Sequence, residues 1–282
     1  MGLNEQLIKE LNEFVNTTPV NRIPEDTPFC PELIGQPIMG EPAIAFGDTD
    51  DPMFSDLLRP EALGPQFRLP KEWLADATRV IAIFLPFSQV IRDDNRDTSE
   101  TPRGSILHAR IEGQATVFES CHFIVDWLEK QGYQAVIPSQ NENFCVQSAK
   151  VGTEEQGDFD ISFRSNWSER HVGYVCGLGT FSLTRGIITE KGTAGRVGTI
   201  VTDAPFEVTP RAYTGITEYC TLCGACAKRC PVNAIDTKTG KKLLPCWKYL
   251  EGIKQTLVKP YYGCGKCQIS VPCEAGIPAR RK

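Results

Sequence analysis

Histidine is scarce in this chain. His108, His122 and His171 are the only three, so there is little imidazole for acid–base work near neutral pH. Long apolar runs are missing too: none approaches the ~20 residues of a membrane span. Met1 to Pro19 reads M-G-L-N-E-Q-L-I-K-E-L-N-E-F-V-N-T-T-P, with acids throughout and no apolar h-region. Position six is Gln6, which rules out reading Met-Gly as a myristoylation signal. A basic excess is also lacking. The net charge of -5 offers nothing to neutralise a phosphate backbone and argues against nucleic acid as the main partner. Gly177-Leu178-Gly179-Thr180 has no third glycine at the dinucleotide spacing, where Ser182 stands, and no strand closely precedes it. That excludes a Rossmann site and leaves a tight turn, or a backbone that approaches a ligand closely.

Cysteine, by contrast, is abundant. The chain has twelve, eight of them between Cys220 and Cys273. A secreted disulfide scaffold does not fit, because 282 residues can build a core without staples. The expectation is a reducing, cytoplasmic compartment. Cys220 to Pro231 reads C-T-L-C-G-A-C-A-K-R-C-P, the ligand run of a bacterial-type [4Fe–4S] cluster, whose fourth cysteine serves a different cube. Zinc is the competitor, but four ligands at this spacing do not close comfortably on one tetrahedral ion. The expected sets are Cys220, Cys223, Cys226 and Cys273 for one cluster, and Cys230, Cys246, Cys264 and Cys267 for a second. The second set is irregular. Cys264 lies eighteen positions beyond Cys246, and a proline precedes Cys273 instead of following it. A three-iron or partly filled second cluster stays open. Lys241, Lys242, Lys248 and Lys266 lie near the ligands in sequence and read as solvated lysines.

Apolar residues at 41% and charged residues at 23% indicate neither disorder nor a membrane protein. Residues 1–210 read as an α+β domain and 211–282 as a ferredoxin-like domain. Leu7, Leu11 and Phe14 follow helical spacing up to Thr17-Thr18-Pro19. Ala43–Phe46, Arg79–Phe87, Tyr133–Ser139 and Arg196–Asp203 read as strands. Arg92, Asp93, Asp94, Arg96 and Asp97 read as a solvated loop, and Pro205–Pro210 as a linker. Val117, Cys121, Ile124 and Leu128 form a helical stripe, which makes Cys121 a core residue. Cys30 reads as an inert loop residue and Cys145 as buried. Glu169–Cys176 reads as a helix.

Two blocks carry a resemblance. One is S-E-R-H-V-G-Y-V-C-G-L-G-T-F-S-L-T-R-G-I-I-T, Ser168 to Thr189, with G-R-V-G-T-I-V-T-D, Gly195 to Asp203, after it. The other is the double cysteine region from Cys220 to Cys273. Together they resemble the epoxyqueuosine reductase group, whose relatives include the reductive dehalogenases. The resemblance implies a nitroreductase-like, cobalamin-binding N-terminal domain against a ferredoxin-like domain with two [4Fe–4S] clusters that reduce a base-off cobalamin. By this analogy Gly177, Leu178, Gly179 and Thr180 would lie near the corrin. That group's proton-donating Asp precedes the E-R pair. Here F-R-S-N-W-S-E-R puts Phe163 in its place, with Asp160 three residues away.

The implied activity is that of an iron–sulfur oxidoreductase fed by ferredoxin or flavodoxin and acting on a small-molecule or corrinoid ligand. tRNA enters only by family analogy. The alternative is a non-enzymatic electron-transfer or corrinoid-handling protein; clusters acting only as folding staples is a third reading. The candidate acids are His108, Asp160, His171 and Tyr174. His108, Arg110 and Glu112, two apart in L-H-A-R-I-E-G-Q, would share one face of a strand. There Arg110 could hold an anionic group or corrin amides.

Overall fold

The buried run Arg79–Pro86 organises the architecture. Ile81, Ile83 and Leu85 face one way and Val80, Ala82 and Phe84 the other, and all six are buried. A strand apolar on both faces needs cover on both sides. The computed structural model describes residues 2–97, 101–151 and 159–279. In chain order the elements begin α1 (Leu3–Thr17), β1 (Ala43–Asp48), α2 (Pro52–Asp56), β2 (Arg79–Pro86), α3 (Gln89–Asp94) and α4 (Gly104–Glu129). Then come β3 (Ala135–Val136), β4 (Val146–Val151), β5 (Asp160–Ser165), α5 (Glu169–Val175), β6 (Gly179–Phe181), β7 (Ile187–Thr189) and β8 (Gly195–Thr202). The cysteine-rich part adds α6 (Ala225–Lys228), β9 (Ile235–Asp236), β10 (Gly240–Lys241) and α7 (Leu243–Thr256).

The main sheet has the order β1-β2-β8-β3, antiparallel throughout. β2 and β8 pair from Arg79 opposite Thr202 to Pro86 opposite Gly195. On one face α4 and α1 bring Val117, Cys121, Ile124, Leu7 and Leu11 against Ile81, Ile83, Leu85 and Ile200. On the other face α5, α2 and Trp167 cover Val80, Ala82, Phe84 and Val201. The result is a three-layer, mixed helix-and-sheet fold. Gly198 sets how closely α4 approaches. A Cβ there would lie 2.8 Å from both Cys121 Sγ and Val117 Cγ1, so only glycine leaves the helix room. No helix among the described residues is long and apolar enough to cross a membrane.

Several sequence expectations need correction. α4 begins at Gly104 and takes in L-H-A-R-I-E-G-Q, so His108, Arg110 and Glu112 do not share a strand face. Helical spacing instead joins His108 Nδ1 to Glu112 Oε2 at 3.0 Å, while Arg110 turns to the Tyr262 hydroxyl. Tyr133–Ser139 yields only the two-residue β3 before a turn at Pro138. The 205–210 segment is largely exposed, as a linker would be, but it is anchored at two points. Phe206 stacks on Phe46 at 4.7 Å, and the Thr209 amide donates to the Phe46 carbonyl. Cys145 is exposed, because its N–H pairs with Asn166 Oδ1 at the edge of the outlying β4–β5 hairpin. Residues 92–97 are not a solvated loop either, as described below.

Gly198→Ala should force a methyl into the Cys121–Val117 contact. Overpacking of this kind costs about 1–3 kcal/mol, and a chain of this size loses about 2–4 °C per kcal/mol. The thermal midpoint of the intact protein should fall by several degrees. An unchanged midpoint would show slack between α4 and β8.

Candidate electron-transfer and ligand site

The eight clustered cysteines gather into two quartets. Cys220, Cys223, Cys226 and Cys273 line one small hollow. Cys230, Cys246, Cys264 and Cys267 line a second, of about 180 Å³. Among the described residues no three or more His, Cys, Asp or Glu side chains converge closely enough for a single ion. The thiols stand around a space instead of a point, which suits a polynuclear cluster better than mononuclear zinc. Burial, aided by the other thiols of the same quartet, raises Cys264 to about 11 and Cys273 to about 12. Buried thiols of this kind become ligands by losing the proton to a metal. The Ala234 amide donates to Cys230 Sγ at 3.2 Å, the sort of bond that tunes a cluster's potential.

The irregular second set is explained by α7. Cys246 sits in its first turn, with Pro245 where a proline is tolerated. Asp160 on β5 caps this helix, accepting from the Leu243 and Leu244 amides at 2.9 and 2.6 Å. Burial acts to raise the Asp160 carboxyl, but these amides and that of Ile161 outweigh it and lower the pKa. The gap between Cys246 and Cys264 is thus mostly helix.

The quartets are fastened by residues 92–97. Lys266, between two ligands, is 2% exposed and donates to Asp97 Oδ1 at 2.6 Å. It is not a solvated lysine. Asn95 Nδ2 donates to the Cys264 carbonyl at 2.9 Å. Arg229, next to Cys230, donates to the carbonyls of Asn95, Arg96 and Asp97. Arg96 and Arg92 reach the buried Glu274 at 2.6 and 3.7 Å.

A cavity of about 560 Å³ opens beside the second quartet, with Cys246 and Cys267 in its wall. None of the first quartet lines it. Arg196, Arg170, Arg110, Lys241 and Glu169 contribute charge, and Phe163 and Trp247 stand at one side. These two rings, 50% and 43% exposed, also border a shallower cavity of about 260 Å³. Glu169 Oε2 accepts from Thr199 Oγ1, which itself accepts from Trp167 Nε1 at 2.8 Å. Burial lifts the Glu169 carboxyl to about 7, against the lowering effect of hydrogen bonds from Ser139 and Thr199.

Of the residues nominated from sequence outside the cysteines, Arg110 alone lines the large cavity. His108 is fully buried elsewhere, between Thr27 and Glu112. His171 bonds Ser168 Oγ at 2.8 Å and lies against Phe181; burial and then Arg170 push it down to about 4, so it is neutral. Tyr174 is buried and stacked on Tyr213 at 5.2 Å. Gly177, Leu178, Gly179 and Thr180 hold the chain that leads to the first quartet. Thr180 Oγ1 accepts from the Tyr219 amide at 2.9 Å, one residue before Cys220. Gly179 fits because a Cβ would lie 2.0 Å from the Ile188 carbonyl oxygen. Sequence reasoning missed Glu169, Arg170 and Arg196 as cavity residues. The available signals were the E-R pair, and an arginine opening an otherwise apolar strand.

Comparison with known proteins follows this geometry. A 4Fe-4S binding domain matches residues 213–236. Trichloroethene reductive dehalogenase from Dehalococcoides mccartyi is 32% identical over 108 residues, covering 38% of this chain and 19% of that protein. Tetrachloroethene reductive dehalogenase from Desulfitobacterium hafniense is 26% identical over 139 residues, 43% of this chain and 25% of that one. The chain therefore spans a quarter or less of these curated relatives. A reductive dehalogenase structure described as suggesting a mechanism for B12-dependent dehalogenation aligns at 15% identity and TM-score 0.52, over 84% of this chain and 30% of that one. Epoxyqueuosine reductase from Bacillus subtilis aligns at 18% identity and TM-score 0.49, over 98% of this chain and 67% of that one. The chain is an iron–sulfur protein related in sequence to the reductive dehalogenases and sharing their fold, in line with the resemblance read from its motifs.

Glu169 should bind its proton up to near neutral pH. The protonated carboxyl band in infrared difference spectra should titrate with a midpoint of about 7 and vanish in Glu169→Gln. A midpoint near the ordinary ~4.3 of a glutamate would remove Glu169 as a proton carrier.

Proposed function

We propose that the chain is an iron–sulfur oxidoreductase that passes low-potential electrons through two [4Fe–4S] clusters to the large cavity for a reductive reaction. The observation that carries this reading is the cavity wall itself, which is built partly from the thiols of Cys246 and Cys267. An electron on the second cluster is then in contact with whatever the cavity holds. The first quartet does not line the cavity, and its Cys223 is exposed, as suits a cluster that receives electrons from a ferredoxin- or flavodoxin-type donor. The large, nitroreductase-like part of the chain supplies the cavity.

Cobalamin fits the residues present. A macrocycle fringed with carboxamides needs a broad, flat site with donors at its edge. Phe163 and Trp247 offer half-exposed ring faces between two adjoining cavities, and Arg110, Gln114 and Gln268 provide polar groups along the wall. When bound, cobalamin would supply a metal centre able to take electrons singly and deliver them to a substrate. The chain's own groups do the rest. Phe163 and Trp247 shield the site from water. Glu169 holds a proton at its carboxyl near neutral pH, where a reductive step needs one. With Phe163 in the place of the family's Asp, Glu169 is the carboxylic acid that the cavity wall offers.

Anaerobic reconstitution should give about eight iron and eight sulfide per chain. Cys230→Ala should lose about half of that while keeping the first cluster's signal. About four iron in the unaltered protein would remove the second cluster. Added cobalamin should change its visible spectrum on binding; no change at all would remove the corrinoid from this account.

A further inference from the structure

The charge in the large cavity is not that of the rest of the molecule. The chain carries a net -5, yet this wall gathers Arg110 from α4, Arg170 from α5 and Arg196 from β8, beside Lys241. Lys241 has a partner in the second quartet, a hydrogen bond with Cys246. The three arginines do not. Among the described residues none of them pairs with a carboxylate. Their bonds run to neutral groups. Arg110 donates to the Tyr262 hydroxyl, Arg170 Nη1 to the Arg185 carbonyl at 2.7 Å, and Arg196 Nη2 to the Arg110 carbonyl at 3.2 Å. Arg196 Nε is buried with no hydrogen-bond partner at all. Glu169 does not answer them, because its carboxyl is turned to Thr199.

Arg170 stands at the exposed rim, but the buried Arg196 Nε without a partner and the half-buried guanidiniums of Arg110 and Arg196 without a counter-charge are costly arrangements. Burial, and next the charge of Arg110, depress the pKa of Arg196, with Arg170 adding to the effect. So Arg110 and Arg170 are each close enough to repel Arg196. One ligand supplies the missing counter-charge: an oxyanion, which accepts from the planar guanidinium fork.

We propose that Arg196, Arg170 and Arg110 form an oxyanion site in the cavity wall, which takes a carboxylate or phosphate group of the molecule reduced there or of the cofactor bound there. The site lies beside Cys267 and Gln268 in the same wall, so it would hold its ligand by the charged end next to the second cluster. This rests on the cavity being the reacting site, but binding is measured without electron transfer, so the two ideas fail separately.

The test uses the full chain with its clusters reconstituted, titrated calorimetrically with inorganic phosphate and with acetate at fixed ionic strength against a chloride background. Binding should weaken about tenfold or more in Arg196→Gln, as expected for the loss of a charge-assisted hydrogen bond. Arg196→Lys should recover only part of it. Arg170→Gln is the second variant should Arg196→Gln fail to fold, and iron content reports folding in each. Lys9→Gln on α1 should bind as the unaltered protein does. Cobalamin and cobinamide, which lacks the nucleotide phosphate, separate the sources. If the Arg196 variant weakens cobalamin but not cobinamide, the oxyanion is the cofactor's. If it affects neither corrinoid but abolishes acetate and phosphate binding, the oxyanion is the substrate's. No binding of either anion to the unaltered protein, or binding undiminished in both arginine variants, overturns the proposal.

Discussion

The ammonium group of Lys266, a buried residue between Cys264 and Cys267 in sequence, holds the cysteine-rich region on the rest of the chain. It lies against Asp97 Oδ1 at 2.6 Å and close to the carbonyls of Asn95 and Asp97. A lysine is rarely buried unless paired, and removing one partner of a buried pair leaves an expensive charge behind. The same short stretch accepts Arg229 and donates to Cys264, and its arginines grip Glu274. Residues from three separate parts of the cysteine region thus meet at one turn of chain after β2 and α3.

That arrangement explains why the cavity lies where it does. β8, paired along the whole of β2, begins with Gly195, Arg196 and Val197 at the cavity wall. α5 lies on the same sheet and brings Glu169 and Arg170. α7, capped by Asp160 from the β4–β5 hairpin, brings Cys246 and Trp247. Sheet, helix and cysteine loop each contribute one kind of group: fixed positive charge, a buried carboxyl and clustered thiols. They share one space only because the cysteine region folds back onto the sheet, where Ile269 joins the main core.

Much of this was legible in the sequence where the controlling interaction is local. Cys220 to Pro231 announces its chemistry through spacing, since short spacers are what let a loop wrap a cube. β2 and β8 were legible because their apolar runs are continuous. What stayed hidden depends on distant partners. A run such as Arg92 to Asp97 has the composition of a solvated loop, and its neutralising groups, Lys266, Arg229 and Glu274, lie far along the chain. Helix α7 carries a proline in its first turn and takes its cap from Asp160, so local signals for it are weak. The β4–β5 hairpin is largely exposed and lacks a period-two apolar pattern. Asp160 looked like an acid displaced by three residues, and in the fold its carboxylate is taken up by two amides. Glu169, the first residue of α5, acquires its proton affinity from burial against Thr199 of β8, which no neighbouring residue reveals.

The central claim is that two adjacent clusters form one electron path ending at the cavity. Electron paramagnetic resonance of the fully reduced, anaerobically reconstituted protein tests it most directly. Two reduced [4Fe–4S] clusters in quartets as close as these, where Cys226 in α6 and Cys230 just beyond it are four residues apart, should give a broadened, spin-coupled spectrum integrating to about two spins per chain. A sharp, uncoupled signal of about one spin in protein of full iron content would contradict the account.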